Sequence, residues 1–125
     1  MKPVTQLALA TALTLATFGS TASAYAHAEL LSAVPAENKM AMPPPKELVL
    51  KFSEELNIKF TTVEIVGPDR KKVDVASEAL DPKDAKVLII ELKAPLGDGK
   101  YIVNWKAFSE DGHKTHGTYH IDAMN

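Results

Sequence analysis

Short runs in which apolar and polar residues alternate recur along most of this 125-residue chain, and turn-forming residues separate them. In residues 47–52, for example, Leu48, Leu50 and Phe52 fall on one face of an extended chain. A period of two residues is typical of a strand that buries one face. No stretch of useful length shows the 3.6-residue period of an amphipathic helix. We therefore predict an all-β protein.

Seven such runs can be recognised, with Pro, Gly or Asp in the turns between them. Short strands at this spacing are typical of an antiparallel β-sandwich or a Greek-key barrel. Residues 77–86 are polar and are predicted to form a loop, and residues 40–45, which end in three prolines, an extended connector or sheet edge. The predicted strands are residues 28–34, 47–52, 60–66, 72–76, 87–92, 101–108 and 117–122.

The first 26 residues differ in character from the rest of the chain. A basic Met1-Lys2 start precedes a mostly apolar run over residues 4–18, and small residues then continue to Ala26. This order is that of a secretory signal peptide. The apolar run is shorter than the ~20 residues that a membrane-spanning helix requires. We predict a signal peptide over residues 1–26 and one exported domain over residues 27–125, not itself embedded in the membrane.

Two overlapping Ala-x-Ala sites end the predicted signal peptide. Cleavage after Ala26 would make His27 the first residue of the exported protein, whereas cleavage after Ala24 would make Tyr25 the first. Both sites satisfy the preference for small residues. Spacing alone therefore leaves both alternatives open.

Charge and cysteine content exclude several classes of function. The exported domain has sixteen acidic and thirteen basic residues, a net charge of −3, since Lys2 is the one charged residue before His27. Nucleic-acid binding, which requires a basic face, is therefore not expected. The chain has no cysteine, which excludes zinc-finger, blue-copper and iron–sulfur sites. A metal site in this chain must use other donors.

The segment between the last two predicted strands concentrates candidate metal ligands. Asp111 and His113 are two residues apart, so their side chains point the same way in an extended chain. Gly112 between them permits an unusual backbone conformation or a close approach. This pair is a weak signal by itself, because many such pairs in loops are solvated or cap turns.

Three further residues near this segment have less certain roles. His116 could be an additional ligand, a neighbour of a ligand or a solvated residue. His120 lies in the last predicted strand, on the face opposite the apolar residues, and is predicted to be exposed. Trp105 is predicted to be a core anchor rather than part of a site.

His27 would supply additional donors if cleavage made it the first residue. Its α-amine and imidazole Nδ1 could then bind one metal ion in a six-membered chelate ring, whereas before cleavage the same backbone nitrogen is an amide. Together with Asp111 and His113 this gives three nitrogen donors and one oxygen donor, a set that suits Cu(II). Because the amine must lose a proton to bind, copper binding is expected to weaken in acid.

Several segments occur in the order found in a known family, and together they cover essentially all of the chain from His27 onward. They are His27-Ala28-Glu29-Leu30 with Ser32-Ala33-Val34-Pro35-Ala36-Glu37, Leu48-Val49-Leu50-Lys51-Phe52-Ser53-Glu54, Gly99-Lys100-Tyr101-Ile102-Val103-Asn104-Trp105, and Ser109-Glu110-Asp111-Gly112-His113 with Gly117. This set resembles the CopC copper-resistance family, including its YobA-like members.

The resemblance implies a periplasmic copper carrier with a seven-stranded, cupredoxin-like Greek-key β-barrel. It implies a Cu(II) site formed by His27, Asp111 and His113, and cleavage between Ala26 and His27. It also implies an inner-membrane partner of the CopD type. We expect the carrier itself to be a monomer.

The chain departs from the resemblance at one point. Some members of the family carry a second site, for Cu(I), in a methionine-rich loop with a histidine, but the corresponding residues 66–79 contain neither residue type. Met40 and Met42 are isolated near the three prolines, and Met124 is at the C-terminus. The chain therefore resembles a member that binds Cu(II) alone.

Three functions are weighed on these patterns. The first is a non-catalytic Cu(II) carrier or buffer in copper resistance or homeostasis, because no nucleophile or general-base constellation is recognisable. The second is a histidine-brace copper oxygenase, although Asp111 would occupy a position that such an enzyme leaves open. The third is a structural β-sandwich module without a metal, since a fold does not determine a function.

Overall fold

A computed structural model describes residues 28–125, which form eight strands in two four-stranded sheets. The part described contains no helix, and so none that could cross a membrane. The predicted signal peptide and His27 lie outside the described residues. The strands are β1 Leu30–Val34, β2 Lys39–Ala41, β3 Glu47–Phe52, β4 Thr62–Val66, β5 Val75–Asp81, β6 Asp84–Leu92, β7 Gly99–Phe108 and β8 Lys114–Ala123.

The two sheets confirm the predicted all-β architecture. One has the order β1-β3-β6-β5, and its neighbouring strands are antiparallel. The other has the order β2-β8-β7-β4, antiparallel except for the parallel pair of β2 with β8. From β1 to β5 the chain passes to the other sheet at every connection. β7 and β8 are the longest strands, with ten residues each, and the loop between them carries the predicted ligands.

An aromatic contact joins the inner faces of the two sheets. Phe52 on β3 meets Trp105 on β7 edge to face, with ring centroids 5.2 Å apart and ring planes at 74°. Pairs of this geometry contribute about 0.5–1.5 kcal/mol beyond the area that they bury. Both side chains are buried, which confirms the predicted core role of Trp105. The remaining core consists of the alternate, inward-facing residues of the strands.

The structure has eight strands where the sequence predicted seven, and the additional strand is β2. Lys39–Ala41 runs parallel to the end of β8, and the preceding Asn38 amide donates a 2.8 Å hydrogen bond to the His120 carbonyl. The three prolines that follow lack an amide donor, which keeps the strand short and at the sheet edge. The predicted sheet edge over residues 40–45 is thus confirmed for its first part.

The predicted loop over residues 77–86 is wrong. β5 occupies Val75–Asp81 and forms a hairpin with β6, so the strand predicted over residues 72–76 begins later and extends further. The Asp81 carboxylate accepts a 2.8 Å hydrogen bond from the Lys83 amide, which closes a tight turn around Pro82. Polar residues are compatible with β5 because it is an edge strand.

Candidate metal centre

The loop between β7 and β8 is hydrogen-bonded to itself and to its neighbour. The Ser109 amide donates to the His113 carbonyl at 2.9 Å, and the Gly112 amide donates to the Ser109 carbonyl at 2.9 Å. The Glu110 amide donates to the Glu55 carbonyl at 3.0 Å. These bonds link residues 109–113 to one another and to the segment that contains Glu55.

Gly112 is required by the backbone conformation of this loop. Its φ is +91°, a value that residues with a side chain rarely adopt. No atom lies within 4 Å of the position that a Cβ would take, so space is not the reason for glycine. The prediction that Gly112 permits an unusual conformation is confirmed.

The two predicted ligands in the loop lie together at the surface. Asp111 Oδ1 is 3.1 Å from His113 Nδ1, and the two side chains are 39% and 47% exposed, respectively. The structure therefore places a carboxylate and an imidazole side by side, within reach of an ion in solution. We call this pair the loop centre.

Ser109 supports the loop centre from the buried side. It is 1% exposed, and its hydroxyl donates a hydrogen bond to Asp111 Oδ1. The hydroxyl oxygen of Ser109 also accepts a 3.2 Å hydrogen bond from the His113 amide. The Ser109 hydroxyl is the main cause that lowers the pKa of the Asp111 carboxyl, with a further contribution from His113. The carboxyl is therefore ionised at neutral pH and can act as an oxygen ligand.

The start of the described chain is fastened beside the loop centre. The carbonyl of the fully buried Ala28 accepts a 2.7 Å hydrogen bond from Thr115 Oγ1. The next residue, Glu29, exchanges two 2.8 Å hydrogen bonds with Ser53, one through its amide and one through its carbonyl. Thr115 is two residues after His113, so the backbone that directly follows His27 in sequence is fixed next to a predicted ligand.

His27, the remaining predicted ligand, lies outside the described residues. Within residues 28–125, no three side chains of His, Cys, Asp or Glu are grouped closely enough to hold a metal ion. The described domain thus brings together Asp111 and His113 and does not add His116 to them. A complete copper site requires donors beyond this pair.

The other two histidines of the domain lie along β8. His116 is exposed and lines a surface cleft together with Trp105. Its register partner on β7 is Lys106. His120 is not exposed as predicted: its side chain is 31% exposed and its Nε2 lies 3.7 Å from Asp122 Oδ2. The added strand β2 covers this end of β8, which explains the difference.

Sequence patterns did not identify the hydroxyl residues that support the site. A serine two residues before an aspartate is a common local side-chain bonding pattern and could have indicated Ser109. Thr115 and Ser53 had no such signal, because their partners Ala28 and Glu29 lie 87 and 24 residues away in sequence. These contacts exist only in the folded chain.

Comparison with known proteins places this domain among copper-resistance proteins. Residues 30–123 match the family model of the CopC domain. Protein YobA of Escherichia coli strain K12 is 36% identical over 99 residues, which cover 79% of this chain and 80% of YobA. Copper resistance protein C of Escherichia coli is 35% identical over 103 residues, which cover 78% of this chain and 81% of the relative.

A solved structure agrees with these sequence relationships. PcoC, a methionine-rich copper resistance protein from Escherichia coli, superposes with a TM-score of 0.70 at 32% identity, over 79% of this chain and 100% of PcoC. The resemblance deduced from the sequence motifs is thereby confirmed over nearly the whole described domain. This protein belongs to the CopC family.

Proposed function

We propose that this protein binds Cu(II) in the periplasm and acts as a copper carrier or buffer in copper resistance or homeostasis. The observation that supports this most directly is the loop centre, an ionised Asp111 beside His113, next to the anchored Ala28. The relatives named copper resistance protein C and PcoC support the choice of copper. No resident cofactor is proposed, since copper is the cargo.

The proposed ligands are the α-amine and Nδ1 of His27, a carboxylate oxygen of Asp111 and a ring nitrogen of His113. Consecutive Cα atoms are about 3.8 Å apart, and His27 directly precedes Ala28, whose carbonyl is bonded to Thr115. This proximity supports His27 as a ligand. Nitrogen and oxygen donors of this kind favour Cu(II), which also heads the affinity series of divalent ions. The proposed donor set therefore suits Cu(II).

Processing of the chain is proposed to create the site. A signal peptide over residues 1–26 would direct the protein to the periplasm. Cleavage after Ala26 would convert the backbone nitrogen of His27 from an amide, a poor donor, into an amine. The exported form would then acquire this chelate only after it had left the cytoplasm.

The proposed role is binding without catalysis. Ser109 is the hydroxyl nearest the loop centre, but it is 1% exposed and bonded to Asp111 and His113, so it does not face a substrate. With Asp111 as a ligand, the coordination position that a histidine-brace oxygenase needs for oxygen is taken. A carrier or buffer therefore fits better than the oxygenase alternative.

Transfer of copper is proposed to involve an inner-membrane transporter of the CopD type, with the carrier acting as a monomer. Membership of the CopC family is the support for this partner. Size-exclusion chromatography with light scattering checks the monomer, and copper-dependent cross-linking in membranes that contain the transporter checks the partner.

Copper titration of the exported protein tests the proposed site. His27→Ala, Asp111→Ala and His113→Ala are each expected to weaken Cu(II) binding by on the order of 100-fold or more, since even residues that only support a metal ligand cost 10–100-fold. His116→Ala removes an imidazole three residues from His113 and serves as the matched control, with affinity unchanged. If Asp111→Ala and His113→Ala bound Cu(II) as tightly as the parent, the loop centre would not be the site.

A further inference from the structure

Three exposed methionines are brought to one edge of one sheet. Met40, Met42 and Met124 are 58%, 61% and 44% exposed. The parallel pairing of β2 with β8 sets Ala41 opposite Ala123, and the Met124 amide donates a 3.1 Å hydrogen bond to the Ala41 carbonyl. Met42 and Met124 therefore each follow one residue of a register pair at the same end of the two strands. We call the three methionines the methionine edge.

The methionine edge lies on the outer face of the sheet. Ala41 and Ala123 are 6% and 4% exposed and point inward, so Met40 and Asp122, which precede them in the strands, point outward. Met42 and Met124 directly follow the ends of β2 and β8 and are themselves exposed. Neighbouring strands are about 4.8 Å apart, and alternate residues of one strand about 6.6 Å apart. Because methionine has three rotatable side-chain bonds, three thioethers at these spacings can converge on one ion.

Two polar side chains flank the methionine edge on the same face. Asp122 is the register partner of Met40 and its side chain is 48% exposed. His120 follows the same alternation along β8, and its Nε2 lies 3.7 Å from Asp122 Oδ2. The carboxylate attracts a cation, and the imidazole is an additional nitrogen donor nearby.

The chemistry of these donors selects a different ion from the loop centre. Thioether sulfur is a soft ligand that favours Cu(I) over hard or borderline divalent ions. A single exposed apolar residue needs no explanation, but three adjacent thioethers beside a carboxylate and an imidazole form a donor set. The surface therefore offers soft donors together with negative charge.

We propose that Met40, Met42 and Met124 form a second metal site, which binds a soft monovalent cation of the Cu(I) and Ag(I) class. The methionine edge and the loop centre lie at opposite ends of the ten residues of β8, about 33 Å apart at 3.3 Å per residue. The inference uses none of the proposed Cu(II) ligands and stands independently of that function. It also replaces the expectation from sequence that Met40 and Met42 are isolated.

Removal of the three sulfurs tests the second site. In the exported protein, Ag(I) in air and Cu(I) under anaerobic reducing conditions are the probes, followed by calorimetry and by NMR of 13C-labelled methionine methyl groups. The parent is expected to bind one equivalent and to shift the methyl resonances of Met40, Met42 and Met124. The triple variant Met40→Leu, Met42→Leu, Met124→Leu keeps apolar volume without sulfur and is expected to bind at least about 100-fold more weakly.

The matched control is His113→Ala, which disrupts the loop centre and is expected to leave Ag(I) binding unchanged. The triple variant in turn is expected to keep the Cu(II) affinity of the parent, which also shows that it is folded. Should the triple variant misfold, Met124→Leu alone, at the chain end, provides the same comparison. The proposal is overturned if the parent fails to bind Ag(I), if the methionine methyl resonances do not shift, or if folded variants bind as the parent does.

Discussion

Just before β8, Asp111 Oδ1 and His113 Nδ1 lie 3.1 Å apart. They belong to a loop that also contains the buried Ser109, whose hydroxyl accepts a hydrogen bond from the His113 amide. At the other end of the strand, the three residues of the methionine edge come from two segments, joined only through the pairing of β2 with β8. The loop centre offers nitrogen and oxygen, and the methionine edge offers sulfur. One strand thus connects two donor sets that differ in chemistry and in construction.

The difference shows two ways to build a metal site: ligands held by hydrogen bonds, or flexible side chains with soft donor atoms. Cu(II) prefers a tetragonal arrangement of its ligands. Ligands on a loop that is already hydrogen-bonded lose less conformational entropy when the ion binds, which favours affinity. A soft monovalent ion accepts more varied geometries, and flexible methionines can adapt to it. The loop centre therefore depends on its supporting hydrogen bonds, whereas the methionine edge depends on strand pairing.

Extension of the exported protein by one residue before His27 is expected to have the largest effect on this comparison. The extra residue converts the α-amine into an amide, so Cu(II) affinity is expected to fall by on the order of 100-fold or more, while Ag(I) binding at the methionine edge is unchanged. Calorimetric titration of the extended and native forms with each ion measures this.

Intact mass of the periplasmic protein decides between the two cleavage sites. Cleavage after Ala24 would place His27 third, where the amine and backbone amides could chelate Cu(II) without Asp111. In that case Asp111→Asn would leave Cu(II) affinity unchanged, and the proposed ligand set would be wrong.

Ser109→Ala is expected to weaken Cu(II) binding by about 10–100-fold, because it removes the group that orients Asp111. It is also expected to lower the free energy of unfolding by about 1–3 kcal/mol, since it breaks buried hydrogen bonds. Ser77→Ala, at an exposed serine that contacts Glu91, is the control and should change neither quantity. Equal Cu(II) affinity in Ser109→Ala and the parent would show that the loop centre does not need its support.

Lowering the pH from 8 to 5 is expected to abolish tight Cu(II) binding, with much less effect on Ag(I). The α-amine, whose ordinary pKa is about 7.7–8.0, must be deprotonated to bind, whereas thioethers carry no proton. Titrations with both ions at each pH measure this. A parallel loss of Ag(I) affinity would mean that donors other than sulfur dominate binding at the methionine edge.

The pKa of Asp111 lies below its ordinary value, so this carboxyl stays ionised over the same pH range. Its contribution to folding stability is present above the unfolded-state pKa, about 3.9, and is lost only as the pH falls through the lower folded-state pKa. Asp111→Asn is therefore expected to lower Cu(II) affinity without moving the midpoint of its pH dependence. A midpoint that moved toward neutral pH would contradict this assignment.

Gly112→Ala is expected to cost about 1–2 kcal/mol, because the new side chain disfavours the positive φ. Cu(II) affinity should fall by up to about 30-fold, since 1.4 kcal/mol corresponds to a factor of ten. Gly97→Ala, where φ is not positive and the nearest atom is at an ordinary 3.5 Å, is the control. Thermal unfolding and Cu(II) titration of both variants test this, and equal effects in the two would exclude backbone strain as the cause.

The triple leucine variant of the methionine edge is expected to have the smallest effect on stability, within about 0.5 kcal/mol of the parent. Its residues are largely exposed, so leucine loses little packing. Chemical denaturation measures the difference. A fall of several kcal/mol in the free energy of unfolding would indicate that these methionines stabilise the sheet edge by packing rather than serve as metal ligands.

Features that depend on short stretches of sequence could be predicted well. The alternation in β3 identified its buried face. Asp111 and His113 lie side by side as predicted, but in a turn with Gly112 at positive φ rather than in the extended chain that the prediction assumed. The polar residues 77–86 misled the prediction, because an edge strand tolerates polar side chains that would be read as a loop. The face of β8 that carries His120 was predicted correctly, but its partial burial was not, because nothing local indicates that β2 pairs with this end of β8.

The sequence by itself determined the all-β class, the Asp111–His113 pair and the family, because each depends on residues that are close together or on motifs in order. Only the tertiary structure decided that Thr115 holds Ala28 beside that pair, and that Ala41, between Met40 and Met42, pairs with Ala123, which precedes Met124. Both contacts join residues distant in sequence. Register is set by how whole inner faces pack against one another, and no single segment contains that information.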